Sequence, residues 1–223
     1  MKKLSNYIFS ISAKKLAILL VILPLVLIVL HTTFSVIYRN SEASDTSLND
    51  IVSILSIIVT FCLLVPFLIW MSWLKGAVLL VSKKEMGIPL KWFNIALFIF
   101  MVYIVFSFCF VFIEFFPEGI RSVFSILSET ISFAGLLIAY PLICHYAARA
   151  VFIKKHNQAT SFSKNIVYTL LLIFIPISIP FFHNYFSSVR SENHQLVKIY
   201  LIALGILMLL AISTFVLAIL GLI

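Results

Sequence analysis

Residues 16–38 read LAILLVILPLVLIVLHTTFSVIY, with no charged side chain among them. A helix rises 1.5 Å per residue, so about 20 apolar residues reach across the ~30 Å hydrocarbon core of a bilayer. The stretch is long enough to span. It also exceeds the roughly 7–15-residue apolar region of a cleaved signal peptide, so it reads as an uncleaved anchor. The lysine pairs ahead of it, Lys2-Lys3 and Lys14-Lys15, mark its start as the cytoplasmic end. Between those pairs Leu4, Tyr7, Ile8 and Ile11 recur at i, i+3, i+4 and i+7. This spacing predicts that residues 1–15 lie on the cytoplasmic leaflet as a short amphipathic helix.

Further uncharged runs follow at 51–74, 92–113, 130–148 and 199–223, and a shorter one at 165–182 that holds Pro176 and Pro180. The expected fold is all-α: a polytopic transmembrane helix bundle in one domain, 16–223. Its six spans fall at about 16–38, 51–74, 92–113, 122–149, 165–182 and 199–223. Composition agrees, since 63% of the chain is hydrophobic and 11% charged, against about 25% charged in soluble domains. The connecting segments alternate in charge. One set of flanks leaves only Arg39, Arg121, Arg190 and Lys198 of the 16 basic residues to the other, and Glu85 is the one acidic residue on the basic side. Positive segments stay in the cytoplasm, so six crossings give both termini inside. If 165–182 does not cross, there are five crossings and the C-terminus is outside.

The net charge of +8 is explained by this topology rather than by nucleic acid, which is not an expected partner. Cys62, Cys109 and Cys144 each sit inside an apolar run, far apart in sequence, and read as small apolar fillers rather than a disulfide framework. Trp70, Trp73 and Trp92 are expected at the cytoplasmic boundary, where indoles anchor. The third span carries aromatics on every face, so much of it should meet lipid. Ser125, Ser128, Ser132, Gly135 and Ala139 recur every three or four residues and form a candidate packing stripe, either inside the bundle or between subunits. Ala218 and Gly221 are a second candidate contact for a homo-oligomer. Pro66, Lys75 and Lys83-Lys84 are echoed by Pro141, Arg149 and Lys154-Lys155. That echo is either a parallel repeat, as in transporters, or the result of placing a basic cluster after each such span.

Chemistry is sparse. No zinc-protease helix, nucleophile elbow, phosphate-binding loop or C-x-x-C pair occurs, and no catalytic residue, metal or cofactor is expected. Ionisable groups inside spans are functional candidates by default. His145 lies four residues before Arg149, at the cytoplasmic interface, where both would meet lipid headgroups. Glu129 is 16 residues from His145, about 24 Å along a helix, too far for an acid–base pair. His31, with Thr32 and Thr33, sits deeper in the first span and either bonds a neighbouring helix or lines a polar cavity. Glu114 ends the third span and reads as interfacial.

The stretch Cys144–Phe182 contains HYAARAVFIKK, a polar connector and IPISIP. It resembles the C-terminal half of small bacterial multi-pass membrane proteins, in which an Ala-Ala-basic-Ala helix end precedes a Phe-Pro-Ile-Gly-like break. Here Ile175-Pro176-Ile177-Ser178 has neither the Phe nor the Gly, and the resemblance implies no activity. The expected role is a non-enzymatic component of a prokaryotic plasma membrane that acts by binding: a subunit, sensor or immunity-type protein. Its lysine-rich side would favour anionic lipids, and the 183–197 segment, expected outside, is a second partner-facing surface. An oligomeric channel or small transporter is the alternative, and an intramembrane enzyme the third.

Overall fold

The computed structural model describes residues 2–41, 46–110, 113, 117–159, 161–174, 178–189 and 191–219. Within these, side chains are described outside 2–3, 35–41, 46–50, 52–53, 56, 83–84, 110 and 214–219. Expectations about Glu114, Pro176, Arg190 and Gly221, and about the side chains of Arg39 and Ala218, fall outside the described residues.

Every regular element among them is helical: α1 (Lys2–Ser10), α2 (Ala13–Ala17), α3 (Leu23–Ser41), α4 (Thr46–Cys62), α5 (Leu64–Leu79), α6 (Lys83–Met86), α7 (Leu90–Phe110), α8 (Glu118–Ser132), α9 (Tyr140–His156), α10 (Phe162–Phe174), α11 (Ile179–His183) and α12 (Asn193–Ile219). By length and composition five helices can cross a membrane: Ala13–Phe34, Ile57–Leu79, Leu90–Cys109, Glu118–His156 and Asn193–Ser213. The segment expected as a further span, 165–182, holds instead the 13-residue α10 and the five-residue α11. At 1.5 Å per residue α10 is about 20 Å long, short of the hydrocarbon thickness.

Two prolines sit inside continuous helices, and both are accommodated in the same way. Proline lacks an N–H, and its ring crowds the carbonyl four residues back. A π-helical segment, Ile18–Ile22, precedes Pro24, and the Leu23 N–H bonds the Ile18 carbonyl. A second, Phe133–Ala139, precedes Pro141, and the Tyr140 N–H bonds the Gly135 carbonyl. The wider turn moves the crowded carbonyl aside and lets the chain continue without a break.

The chain divides into two compact units, residues 1–73 with 179–223, and residues 74–178. In the first, α12 packs along α2 and its continuation. Ala13 and Ala17 meet Leu196 and Ile199. Farther along, Val21 and Leu25 meet Ala203, with Ile206 and Leu210 packed against them. The contacting numbers rise together, so the two helices are parallel. A bundle with both termini on one side needs them antiparallel, because its last crossing must return. The first turn of α2 and the segment before α12 also meet directly: the Lys14 N–H donates to the Ser191 hydroxyl at 3.1 Å. The expectation that residues 183–197 face away from the N-terminal segment therefore does not describe this unit.

Helix α1 is amphipathic, but its apolar arc is shared. Ser5 and Ile8 are buried, and the Ser5 hydroxyl donates to the Ser72 carbonyl at 2.9 Å. Leu4 and Tyr7, on the adjoining strip, are exposed. One edge of the arc thus packs on protein while the other is left for the bilayer surface.

In the second unit α7 packs against the Phe133–Ala139 segment and α9, and α10 packs on α9. Of the predicted small-residue stripe, Gly135 and Ala139 are buried, Ser128 and Ser132 half-buried, and Ser125 exposed. At Gly135 a Cβ would stand 2.5 Å from the Tyr103 Cβ. Gly135→Ala should therefore cost about 2 kcal/mol through overpacking, read as a lower unfolding midpoint in detergent. Gly205→Ala, where a Cβ meets nothing within 4 Å, should be neutral or slightly stabilising.

Candidate functional site

Two of the polar groups that the second unit draws inward, Arg149 and Tyr146, reach the segment between α5 and α7. Ser82 caps α6: its hydroxyl accepts from the Glu85 N–H, and the Glu85 carboxylate accepts from the Ser82 N–H and hydroxyl. Those bonds hold the Glu85 carboxyl below its ordinary range. Gly87 ends the turn at φ 65°, a left-handed conformation that suits glycine. The last carbonyl of α6, on Met86, has no partner in its own helix. Arg149 of α9 reaches it with two donors, Nε at 2.9 Å and Nη2 at 2.6 Å. One turn earlier the Tyr146 hydroxyl donates to the Pro89 carbonyl at 2.6 Å. Arg149 is 6% exposed and Tyr146 is buried. Sequence reasoning put Arg149 among lipid headgroups; here it clamps residues 82–89 onto α9 instead.

His145 points to α10. Its Nδ1 is 3.2 Å from the Thr169 hydroxyl, and that hydroxyl donates to the Asn165 carbonyl at 3.0 Å. Since Thr169 has one proton to give, Nδ1 carries the hydrogen of the His145 bond. The Tyr140 hydroxyl lies 2.9 and 3.2 Å from the Leu172 and Ile173 carbonyl oxygens, near the C-terminal end of α10. These bonds satisfy carbonyls that the helix end leaves open.

The first unit contains a polar cluster that the sequence did not single out. His183 and Trp73 are both 0% exposed. The Trp73 indole N–H donates to His183 Nδ1 at 3.1 Å, and His183 Nε2 lies 2.9 Å from the Ile11 carbonyl oxygen. An indole only donates and a carbonyl only accepts, so the imidazole is neutral with its proton on Nε2. The Ser187 hydroxyl donates to the same Ile11 carbonyl at 3.0 Å. Phe9 stacks on the imidazole, and Phe186 stands edge-on to Trp73. Burial pushes the imidazole below its ordinary range. Trp73 therefore does not anchor in the interface, and Trp92, 56% exposed, remains available for that. No short-range signal links Trp73, Ile11 and His183, because their bonds join residues more than a hundred positions apart in sequence.

The other candidates are more peripheral. His31 is half-buried, and Thr32 and Thr33 are exposed, their hydroxyls donating one turn back to the Ile28 and Val29 carbonyls. Glu129 is exposed on α8. Compared with protein-family models, with curated proteins and with solved structures, the chain has no match.

Proposed function

We propose that this chain is a non-enzymatic component of the cell membrane that acts by binding, and that it crosses the bilayer five times with its N-terminus inside and its C-terminus outside. The observation that carries the first part is where the inward polar side chains spend their hydrogen bonds. Arg149, Tyr146, Tyr140, His145 and His183 are committed to backbone carbonyls or to neighbouring side chains of the same chain. They hold segments in place. The exposed Lys14, Lys15 and Lys154 are offered to a partner, which we take to be protein or anionic lipid.

The five-crossing arrangement is supported by the parallel run of α2 and α12 and by the short α10. It also sharpens the charge bias: Arg190 and Lys198 move to the basic side, leaving Arg39 and Arg121 of the 16 basic residues opposite. A reporter active only outside the cytoplasm, fused after Ile223, should give signal, and the same reporter fused at Asn157 should be silent. Silence at both positions would restore the six-span topology.

For function, a photo-crosslinker replacing the exposed Lys154 should give a discrete protein or lipid adduct in cells. The protein reconstituted in liposomes should pass no proton, potassium or chloride above empty vesicles. A flux abolished by His31→Ala would instead make the chain a channel.

A further inference from the structure

Helix α7 has two distinct faces. Phe93, Ala96, Leu97 and Phe100 are buried in the second unit, whereas Lys91, Asn94, Ile95 and Phe98, at i, i+3, i+4 and i+7, are exposed. With Leu90 these four line an open cavity of about 620 Å³. Along the helix Phe98 lies about 10 Å beyond Lys91, so the polar pair sits at the basic end and the apolar pair one to two turns deeper. Asn94 is the unusual member. It lies one turn inside a helix of spanning length, on an exposed face, and its amide makes no hydrogen bond among the described residues. Lys91 likewise has no ion pair among them. Hydrocarbon cannot satisfy an amide and no described residue does, which leaves this one for a group at headgroup level.

We propose that this face binds one phospholipid with an anionic headgroup. The Lys91 ammonium and the Asn94 amide donate to the phosphate oxygens. Ile95 and Phe98 take the upper part of an acyl chain, and the exposed Trp92 sits beside them at headgroup level. A soluble anion would leave the apolar half of the cavity unused. A zwitterionic lipid carries the same phosphate, but its own cation meets Lys91 unfavourably. The inference rests on the membrane reading and not on the binding role proposed above.

The test is native mass spectrometry of the detergent-purified chain with added phosphatidylglycerol or phosphatidylcholine. The wild type should retain phosphatidylglycerol preferentially. Lys91→Gln should lower that retention about fivefold, roughly what one lysine contributes near an anionic surface. Asn94→Leu should lower it too, while Lys164→Gln should leave it unchanged. Both site residues are exposed, so their variants keep the wild-type unfolding midpoint and remain interpretable. Equal retention of the two lipids, an unaffected Lys91→Gln variant, or full displacement by millimolar inorganic phosphate would each overturn the proposal.

Discussion

Replacing Arg149 by alanine should destabilise the detergent-solubilised protein by about 3 kcal/mol, roughly 6–12 °C in unfolding midpoint for a chain of this size. The Met86 carbonyl receives two charge-assisted bonds from the guanidinium, and Met86 itself is fully buried. Truncation leaves that carbonyl without a donor, at about 1–3 kcal/mol, and removes the packing of the arginine stem. Arg149→Lys should recover only part of the loss, because an ammonium cannot present the planar fork that places two donors on one oxygen. The effect should also be local. Amide exchange should quicken across residues 82–89 in Arg149→Ala, and to a lesser degree in Tyr146→Phe, which removes the bond to Pro89. If exchange in that segment did not change, the clamp would not be what holds it.

Acidification should loosen the first unit through His183. Its imidazole is neutral when folded, and burial lowers its affinity for a proton. The unfolded chain therefore binds more protons below the ordinary histidine pKa of about 6.5, so stability rises with pH there. The stabilisation is complete above that value and is lost as pH falls toward the lowered folded value. Each unit of lowering corresponds to about 1.4 kcal/mol. A proton added at Nδ1 would face the Trp73 N–H, so protonation breaks the indole bond as well. The groups around the ring offer the cation little. Phe9 and Phe186 are apolar, Ser187 bonds the Ile11 carbonyl, and the exposed charges on α2, against which α11 packs, are Lys14 and Lys15. Between pH 7 and pH 5 the wild-type midpoint should fall and the release of residues 1–12 to limited proteolysis should rise. His183→Asn should be less stable at pH 7 but nearly flat across the same range. A His183→Asn curve with the wild-type slope would assign the acid sensitivity to another group.

The legible part of the fold was the part written in runs. Uncharged stretches of some 20 residues locate α3, α5, α7, α9 and α12 with little ambiguity, because spanning length and apolarity are properties of a single segment. The count of crossings was harder. Charge alternation assigns sides only when each apolar segment is known to cross, and within 165–182 the helix α10 has 13 residues, about 20 Å, less than the hydrocarbon thickness. Direction was carried instead by Ala13, Ala17, Leu196 and Ile199, small and branched residues whose pairing no local pattern announces. The candidate site divided in the same way. Arg149 and His145 could be named as polar residues inside an apolar run, but their partners are a backbone carbonyl and a threonine hydroxyl on other helices. By sequence His183 reads as part of the outside segment 183–197, because a histidine next to a loop looks solvated until the chain folds around it.

The seven-residue π-helical segment before Pro141 acts as a phase shifter. A π turn holds one residue more than an α turn, and one residue is worth about 100° of azimuth. Upstream and downstream parts of this long helix are therefore out of step with the ideal wheel. This is why Ser125 is exposed although the wheel draws it in line with the buried Gly135 and Ala139. The surplus residue and the proline are coupled: the residue is tolerable because Pro141 needs the wider turn, and Pro141 is tolerable because the residue is there. Losing one alone should be costly. A relative that replaced Pro141 with an ordinary helix former would be expected to carry a one-residue deletion between 133 and 139. Such a deletion would keep the serines on the face they occupy here, whereas a regular helix that kept every residue would bring them into line with the glycine and alanine below.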